Sequence, residues 1–388
     1  MARPGTPRAW ALWNRQRVVN ELIRSGSLTQ AQLARLTGLS PATLSNIVRE
    51  LSDNGILAGS PSGPTGRRGR NLQISPDLGG VLGIDIGQRH LRVAIGRLDY
   101  TIVGELSHAL PIDHSLEDDL DLVNDLTEQI LAEKGWRRDD LLAVGIGLPA
   151  PLDLTERRLA ASPHLPMWGS DVGKIIVDRL GQDVQIDNDA NLGALAESVW
   201  GSAHGVRNAV YIKMSTNIGA GLIIDGAVTH GERGTAGEIG HIRVEENGLA
   251  CFCGSRGCLI TVVAAEVLLD QVKHLHGPEL TVDHMLDLAR AGDRGCVRVL
   301  EDAGHHVGVA IGILCNVLNP AKIVLGGPLA ATNTIVLEAA RTEARRYALP
   351  FTLERVDIVQ ASLGVSAEVR GAVALAIRSA APALSSTR

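Results

Sequence analysis

One histidine and three cysteines lie close together in the segment GEIGHIRVEENGLACFCGSRGCL. His241 is followed within 17 residues by Cys251, Cys253 and Cys258. Three thiolates and one imidazole form the closed tetrahedral shell that is typical of structural zinc, and the glycines of CFCGSRGCL allow the chain to turn around an ion. The spacing predicts one structural zinc ion per chain, and the alternative is a loop of reduced cysteines.

The composition limits the class of protein and its compartment. Of the 388 residues, 45% are hydrophobic and only 3% are aromatic, so the core is aliphatic. No apolar run reaches the roughly 18 residues of a membrane span, and the N-terminus lacks a signal-peptide pattern. The chain has five cysteines, three of them in the metal pattern, which fits a reducing compartment. We expect a cytoplasmic protein with no membrane segment.

Charge is distributed unevenly along the chain. Residues 1–76 contain ten arginines, no lysine and three acidic residues, a net charge of +7, whereas the remainder carries −13. A basic N-terminal segment on an acidic body indicates an anionic partner for that segment alone, and nucleic acid fits.

The basic segment carries the pattern of three short helices. Residues 14–25 place aliphatic side chains on one helical face. Thr29 and Gln32 form a capping-box pattern at the start of a second helix, in which Leu33 and Leu36 are expected to be buried. A glycine then provides a turn into the third helix. Helix, short turn and helix is the layout of a helix-turn-helix.

The third predicted helix has the features of a DNA-recognition helix. Ser40 and Pro41 favour its start, and it should end near Asn54. Small and polar side chains on its outer face are suited to contact base edges or phosphates. These candidate DNA-binding residues are Thr43, Ser45, Asn46 and Arg49.

A wing should follow the third helix. Short apolar strands at residues 56–57 and 72–74 flank a loop rich in glycine and proline. Arg67, Arg68 and Arg70 in this loop are expected to contact phosphates or the minor groove. Residues 1–76 are therefore predicted to be a winged helix-turn-helix DNA-binding domain, and the alternative is a three-helix module that binds protein.

The rest of the chain repeats one structural pattern. VLGIDIGQRHLRVAIGRLD and NAVYIKMSTNIGAGLIIDG each read as a strand, a glycine turn and a strand. VQIDNDANLGALAES reads as a strand that runs into a helix, and NPAKIVLGGPL as a strand that ends in a glycine pair. Two similar hairpins indicate a duplicated α/β unit, and strand–helix alternation at this length favours two α/β lobes with a cleft between them.

The order of these motifs resembles the ROK family of repressors, open reading frames and sugar kinases, over residues 81 to about 378. GIDIG resembles its first phosphate loop, IDNDAN and GTAGEIGH its sugar motifs, CFCGSRGCL its zinc loop and IVLGG its adenosine loop. The resemblance implies an actin-like ATPase fold for residues 77–388. It also implies lobes divided near residue 190 and a C-terminal helix that packs back on the first lobe.

The resemblance also assigns roles to four polar residues. Asp189 corresponds to the general base of the family's kinases, and Asn188 beside it to a sugar contact. Glu238 corresponds to a ligand of the sugar ring hydroxyls. His241 corresponds to a zinc ligand at the edge of the sugar. In this scheme the zinc holds the loop that aims Glu238 and takes no part in catalysis.

Several positions depart from the family's pattern. Gln88 and Arg89 replace a glycine and a small hydroxyl residue in the first phosphate loop, and Asn217 replaces a glycine in the second. These changes should crowd a triphosphate, so we expect no kinase activity and assign no catalytic residue; the alternative is that Arg89 itself binds phosphate. Ile260 stands where the family has a glutamate, which makes one side of the sugar pocket apolar.

A helix-turn-helix ahead of such a body resembles the repressor branch of the family, which includes regulators of xylose or N-acetylglucosamine use. We predict a DNA-binding transcriptional repressor whose body binds a small carbohydrate effector that changes its affinity for the operator. Two alternatives are an active ATP-dependent sugar kinase with a DNA-binding head, and a regulator with a degenerate body that senses no sugar. The expected partners are double-stranded DNA with an inverted-repeat operator, the effector, and further copies of the chain in a homodimer or a dimer of dimers.

Overall fold

The computed structural model of the protein describes residues 6–60, 71–153, 158–159, 168, 171–181, 184–331 and 334–386. Within this part of the chain, a small N-terminal head is followed by a body with two five-stranded sheets. None of the helices in these residues is long and apolar enough to cross a membrane.

The head contains three helices and a three-stranded sheet. Its elements are α1 (Pro7–Ser25), β1 (Leu28–Thr29), α2 (Gln30–Thr37), α3 (Pro41–Asp53), β2 (Leu57–Ser60) and β3 (Asn71–Ile74). β3 lies between β1 and β2 and pairs antiparallel with both. The predicted pair of wing strands is therefore present, and the residues that connect β2 to β3, 61–70, lie outside the described residues.

Side-chain caps fix where the second and third helices begin. The Thr29 hydroxyl accepts a hydrogen bond from the Gln32 amide at 3.3 Å, and the Gln32 side chain accepts one from the Thr29 amide at 2.9 Å. Ser40 caps α3 in the same way by accepting from the Thr43 amide at 3.2 Å. Such caps provide hydrogen-bond acceptors for amides that have no partner inside the helix, and each typically contributes about 1 kcal/mol to stability.

The first helix contains the predicted residues 14–25 and begins earlier, at Pro7, where Thr6 caps it. One expectation for the head was wrong. Leu36 is 52% exposed, because the inward face of the short α2 is formed by Leu33 and Thr37, one helical turn apart.

The first lobe of the body is built on one mixed sheet. Its elements are β4 (Gly80–Ile86), β5 (His90–Arg97), β6 (Ile102–Ala109), α4 (Leu116–Lys134), β7 (Leu141–Leu148), β8 (Leu152–Asp153), β9 (Arg158–Leu159), α5 (Val172–Leu180) and β10 (Val184–Asn188). The strand order is β10-β7-β4-β5-β6. β4, β5 and β6 form an antiparallel meander, and β7 and β10 extend it in parallel from β4.

The second lobe repeats this arrangement. Its elements are α6 (Asp189–Val199), β11 (Ala209–Met214), β12 (Ile218–Ile224), β13 (Ala227–Thr229), α7 (Ile260–Val263), α8 (Ala265–His276), α9 (Val282–Arg290), α10 (Arg294–Leu318), β14 (Lys322–Gly326), α11 (Pro328–Ala331), α12 (Ile335–Tyr347), α13 (Pro350–Leu353) and β15 (Asp357–Gln360). The order β13-β12-β11-β14-β15 again extends an antiparallel meander by two parallel strands from its first strand. The shared topology supports the predicted duplication.

The C-terminal helix connects the parts of the molecule. α14 (Ala367–Ser386) packs against β4, β7 and α6 of the body and against α1 of the head. A Cβ atom on Gly145 of β7 would lie 2.1 Å from the Ala372 carbonyl oxygen, so this close approach of α14 to the sheet requires glycine. The far half of α14 shares one apolar cluster with Val18, Val19 and Leu22 of α1.

Candidate functional site

The four predicted metal ligands come together at one point. The ligand atoms of His241, Cys251, Cys253 and Cys258 all lie within 4.8 Å of one another. The Cys251 Sγ is 3.6 Å from the His241 Nδ1, and the Cys253 Sγ is 3.7 Å from the Cys258 Sγ. In a tetrahedral site with metal–sulfur bonds of about 2.3 Å, sulfurs lie roughly 3.8 Å apart and sulfur and nitrogen roughly 3.5 Å. Both distances fit a single tetrahedral ion.

The backbone around this cluster is held by a tight loop. The Cys251 amide donates to the Ser255 carbonyl at 2.8 Å, and the Gly254 amide donates to the Cys251 carbonyl at 3.0 Å. Gly257 has a φ of 69°, and a Cβ there would lie 1.7 Å from the Glu245 carbonyl oxygen. Only glycine therefore permits the turn that brings Cys258 back to the other ligands.

A cleft between the two lobes contains the four residues that the sequence assigned to a sugar. Asn188, Asp189, Glu238 and His241 line one pocket, together with Ile260 and Phe252. The Phe252 ring and the His241 imidazole pack in a T-shaped arrangement with a centroid separation of 5.1 Å. The pocket is thus polar on one side and apolar on the other, and the metal-ligand cluster forms part of its wall.

Asn188 is partly committed to the fold. Its side-chain oxygen caps α6 by accepting from the Ala190 amide at 3.0 Å, and its side-chain nitrogen donates to the Ala150 carbonyl at 3.1 Å. These two bonds fix the amide at the junction of β10 and α6. One N–H of the amide is left over for another acceptor, which matches a sugar hydroxyl.

Asp189 has a partner that sequence reasoning missed. The Lys213 ammonium donates to the Asp189 Oδ2 at 2.7 Å and lies 3.9 Å from the Glu368 Oε1. Glu368 also accepts a hydrogen bond from the Tyr211 hydroxyl at 3.0 Å. The only signal in the sequence was a charged residue inside the apolar strand AVYIKM.

The pKa shifts of this group follow from burial and charge. Burial disfavours the ammonium, but the charges of Asp189 and Glu368 outweigh burial and raise the pKa of Lys213 above its usual range. Burial also raises the pKa of Glu368, in spite of the nearby ammonium. Lys213 is therefore charged throughout the neutral range.

Glu238 lies in the same cleft, and none of the described residues places a cation beside it. Desolvation in the cleft and the negative charge of Asp189 raise the pKa of Glu238 to about 7. A carboxyl group with this pKa can both donate and accept hydrogen bonds near neutrality, as sugar hydroxyls require of their partners.

A second pocket adjoins the first at Asp189 and Lys213 and is lined by Gln88, Arg89 and Asn217, the three residues that were predicted to crowd a triphosphate. The Arg89 guanidinium forms an ion pair of 2.7 Å with Glu266 of α8, across the mouth of the cleft. The Gln88 side-chain nitrogen and the Asn217 side-chain oxygen are buried without a hydrogen-bond partner among the described residues. Arg89 is thus engaged by a carboxylate.

One further ion pair connects the lobes. The His230 imidazole, which follows β13, lies 2.7 Å from the Asp187 carboxylate in β10. This hydrogen bond raises the pKa of His230, against the opposing effect of burial. Asp187 also accepts from the Asn191 side chain at 2.9 Å, so it is fixed in place next to the cleft residues Asn188 and Asp189.

The predicted DNA-binding side chains lie on one side of α3. Ser45, Asn46 and Arg49 are exposed and Thr43 is half-buried, while Leu44, Ile47, Val48 and Leu51 face the core of the head. The Arg49 guanidinium donates to the Asn46 side chain at 3.0 Å. The candidate wing residues Arg67, Arg68 and Arg70 lie outside the described residues.

The two cysteines outside the metal cluster are buried. Cys296 and Cys315 are both fully inaccessible, and all five cysteines of the chain are free thiols. The Cys296 Sγ lies 3.7 Å from the His276 imidazole, and its backbone amide is capped by Asp293 at the start of α10. These contacts stabilise a helix end.

Comparison with known proteins relates the head and the body to separate families. A model of the ROK family matches residues 81–379, and a model of the MarR family matches residues 16–68. The chain is 28% identical to the xylose repressor of Bacillus spizizenii over 94% of both proteins.

Solved structures with the same architecture include both regulators and kinases. A ROK family transcriptional regulator that is a homologue of the E. coli Mlc protein superposes with a TM-score of 0.79 at 25% identity, over 97% of this chain and 98% of that one. A ROK family glucokinase from Streptomyces griseus in complex with glucose and AMPPNP superposes with a TM-score of 0.67 at 26% identity, over 77% and 99%. These matches confirm the predicted fold class, a helix-turn-helix head on a two-lobed actin-like ATPase body, and the chain belongs to the ROK family.

Proposed function

We propose that the protein is a DNA-binding transcriptional repressor whose body binds a carbohydrate effector. The observation that carries this proposal is that a protein named as a xylose repressor matches head and body together, over 94% of the chain. In the proposed organisation, residues 1–76 are the DNA-binding domain and residues 77–388 bind the effector and dimerise. A repressor acts where the chromosome is, so the proposed compartment is the cytoplasm, where the five free thiols stay reduced.

The proposed DNA contact places α3 in the major groove. Its exposed side chains Ser45, Asn46 and Arg49, together with Thr43, would contact bases, and Arg67, Arg68 and Arg70 would contact phosphates or the minor groove. A single head reads few base pairs, so two heads related by a two-fold axis on an inverted repeat are proposed, in a homodimer or a dimer of dimers.

The proposed effector site is the cleft lined by Asn188, Asp189, Glu238 and His241. Carboxylate, amide and imidazole groups suit the hydroxyls of a sugar, while Ile260 and Phe252 provide an apolar wall. This wall favours a carbohydrate that carries an apolar or modified substituent, or one that lacks a hydroxyl at that position, over plain glucose.

We propose that the ion held by His241, Cys251, Cys253 and Cys258 is zinc with a structural role. The support is the donor set and its near-tetrahedral spacing. Glu238 is three residues before the ligand His241, and Ile260 is two residues after Cys258. The ion would therefore fix both the polar and the apolar side of the effector pocket.

We propose that the body is not a working sugar kinase. Asp189 retains the position of a base, but its carboxylate already accepts a hydrogen bond from a buried ammonium. Gln88, Arg89 and Asn217 stand where phosphates need exposed amides and space. Similarity to a glucokinase keeps the kinase alternative open to test. Turnover of ATP with a hexose that disappears in Asp189→Asn would overturn this part of the proposal.

DNA binding is tested with an operator selected from random duplexes by the full-length protein. Arg49→Ala should weaken binding to that operator by about 1–3 kcal/mol, roughly 5- to 150-fold, and change nonspecific binding much less, in fluorescence-anisotropy titrations. Arg24→Ala is the matched control, because it removes another exposed arginine of the head, on α1. Arg68→Ala should instead lower affinity for all duplexes and flatten the salt dependence. Unchanged operator affinity in Arg49→Ala would contradict the assignment of α3.

Effector binding is tested by calorimetry with mono- and oligosaccharides and their phosphates, with and without operator DNA. Any carbohydrate that binds should change operator affinity, and the operator should change carbohydrate affinity by the same factor. If no carbohydrate of the panel binds while DNA binding is intact, the result would favour a regulator that senses no sugar. Binding that survives Glu238→Ala unchanged would locate the pocket elsewhere.

A further inference from the structure

The cleft contains a buried lysine, in a chain whose basic residues are mostly arginines. Five of the 37 basic residues are lysines. The Lys213 side chain is only 7% exposed, and its two carboxylate neighbours, Asp189 and Glu368, are 11% and 3% exposed. A buried charge is costly unless it is paired, so this arrangement has to be accounted for.

The lysine occupies the point where carboxylates from two separate helices meet. Asp189 begins α6, Glu368 begins α14, and the lysine projects from β11 between them. Its ammonium lies 2.7 Å from the Asp189 Oδ2 and 3.9 Å from the Glu368 Oε1. Without a cation at this point, two carboxylates would face each other in a poorly solvated pocket.

A third carboxylate adds to the local negative charge. Asp85 is fully buried, and its Oδ2 accepts from His90 at 2.9 Å and from Arg92 at 3.1 Å. Its Oδ1 is buried with no hydrogen-bond partner among the described residues. The charge of Asp85 also favours the ammonium form of Lys213, so the two groups interact electrostatically.

Converging carboxylate oxygens are the ligands preferred by Mg²⁺ and Mn²⁺. We propose that Lys213 is a tethered substitute for a divalent cation, and that its ammonium takes the position in which Asp189 and Glu368 would otherwise bind the metal. The lysine thereby excludes divalent ions from the cleft. A nucleoside triphosphate bound there would lack the metal ion that normally neutralises its phosphates. The lysine also donates a hydrogen bond to the Asp189 Oδ2 where a metal ion would otherwise bind.

This inference goes beyond the proposed function, since it concerns cation binding and holds whether or not the body senses a sugar. Its test uses neither DNA nor carbohydrate, so its failure is distinct from failure of the repressor proposal. The probe is Mn²⁺ alone, titrated into the full-length protein and followed by electron paramagnetic resonance. Lys213→Ala removes the cation and opens space, whereas Lys213→Met removes the charge but fills the same volume.

The expected result is selective gain of metal binding. Lys213→Ala should bind one Mn²⁺ at least about tenfold more tightly than the wild-type protein, and Lys213→Met should not. The double variant Lys213→Ala/Asp189→Asn should lose the gained site. Wild-type protein that binds Mn²⁺ in the cleft as tightly as Lys213→Ala would overturn the proposal, as would a folded Lys213→Ala variant that gains no site.

Loss of the lysine can also destabilise the protein, and thermal unfolding covers that case. Mn²⁺ should raise the melting temperature of Lys213→Ala and leave those of the wild-type protein and Lys213→Met unchanged, because a ligand that binds the native state stabilises it. Lys273→Ala is the control for removal of a lysine on the surface, where its ammonium pairs with Asp270. An equal Mn²⁺ response in all four proteins would contradict a tethered cation at Lys213.

Discussion

Two clusters of ionisable side chains line the same cleft, and they differ in the source of the cation that can neutralise their negative charge. At one side, three thiols and the His241 imidazole converge with no cationic side chain among them. At the other, Asp189 and Glu368 converge on the ammonium of Lys213. The first cluster has the donor set for an ion taken from solution, and the second contains a cation that the chain itself supplies.

The source of the cation determines how each cluster is stabilised. A metal ion stays bound only while its full set of ligands is present, so loss of one ligand releases the ion. In a buried ion pair both charges belong to the chain and cannot dissociate from the protein. Such a pair adds little stability compared with two apolar side chains, but removal of one partner lowers the free energy of unfolding by several kcal/mol. The two clusters should therefore respond differently to substitution and to chelators.

The largest expected effect is at the His–Cys cluster. Cys253→Ser should abolish metal binding, and with it more than ~5 kcal/mol of the free energy that holds the loop, because ligand binding and loop folding are coupled. Elemental analysis should find about one equivalent of zinc in the wild-type protein and almost none in the variant. The carbohydrate response should also be lost, since the loop that carries Glu238 loosens.

The control for that variant is Cys315→Ala, which removes a buried thiol outside the cluster. It should keep its full metal content while losing some stability to the cavity it leaves. Retention of all zinc by Cys253→Ser would rule out the four-ligand assignment.

The next effect in size is at the ion pair. Asp189→Asn leaves the Lys213 ammonium buried with less negative charge around it and should lower the free energy of unfolding by about 3 kcal/mol, measured by urea denaturation. Asp225→Asn is the matched control, because Asp225 pairs with Arg207 at the surface, where both side chains are more than 70% exposed. It should change stability by less than ~0.5 kcal/mol. Equal effects of the two substitutions would show that burial of the pair has no energetic weight.

The smallest effect tests Glu238, the carboxyl between the clusters. Its pKa is about 7 in the folded protein against 4.5 ordinarily, so the stability linked to its proton is present below pH 4.5 and is lost as pH rises through 7. Glu238→Gln should therefore match the wild-type protein at pH 4.5 and exceed it at pH 8 by up to about 1 kcal/mol, a value reduced by solvent screening. Thermal unfolding of both proteins between these pH values measures the difference. A gap that stays constant with pH would contradict the shifted pKa.

The same contrast explains what could be predicted from the sequence. The metal cluster, the capping box of Thr29 and Gln32 and the strand–glycine–strand hairpins depend on residues close together in the chain, so spacing alone indicates them. The ion pair joins residues 24 positions apart, and Glu368 approaches from the C-terminal helix. Such partners are set by how the lobes pack. The prediction that Leu36 is buried was wrong for a related reason. In a helix of two turns, the elements packed against it decide which face is buried.

The packing of α14 on α1 has a consequence for the order in which the protein is made. The head is synthesised before α14, yet Val18, Val19 and Leu22 of α1 share one apolar cluster with side chains of α14, such as Ile377 and Leu384. During translation the head therefore leaves the ribosome before α14 is available to cover this apolar side of α1. Chains truncated before α14 should consequently bind operator DNA poorly and be good substrates for proteases, so that, under the proposed function, DNA would be occupied only by chains that also carry the whole effector-binding body.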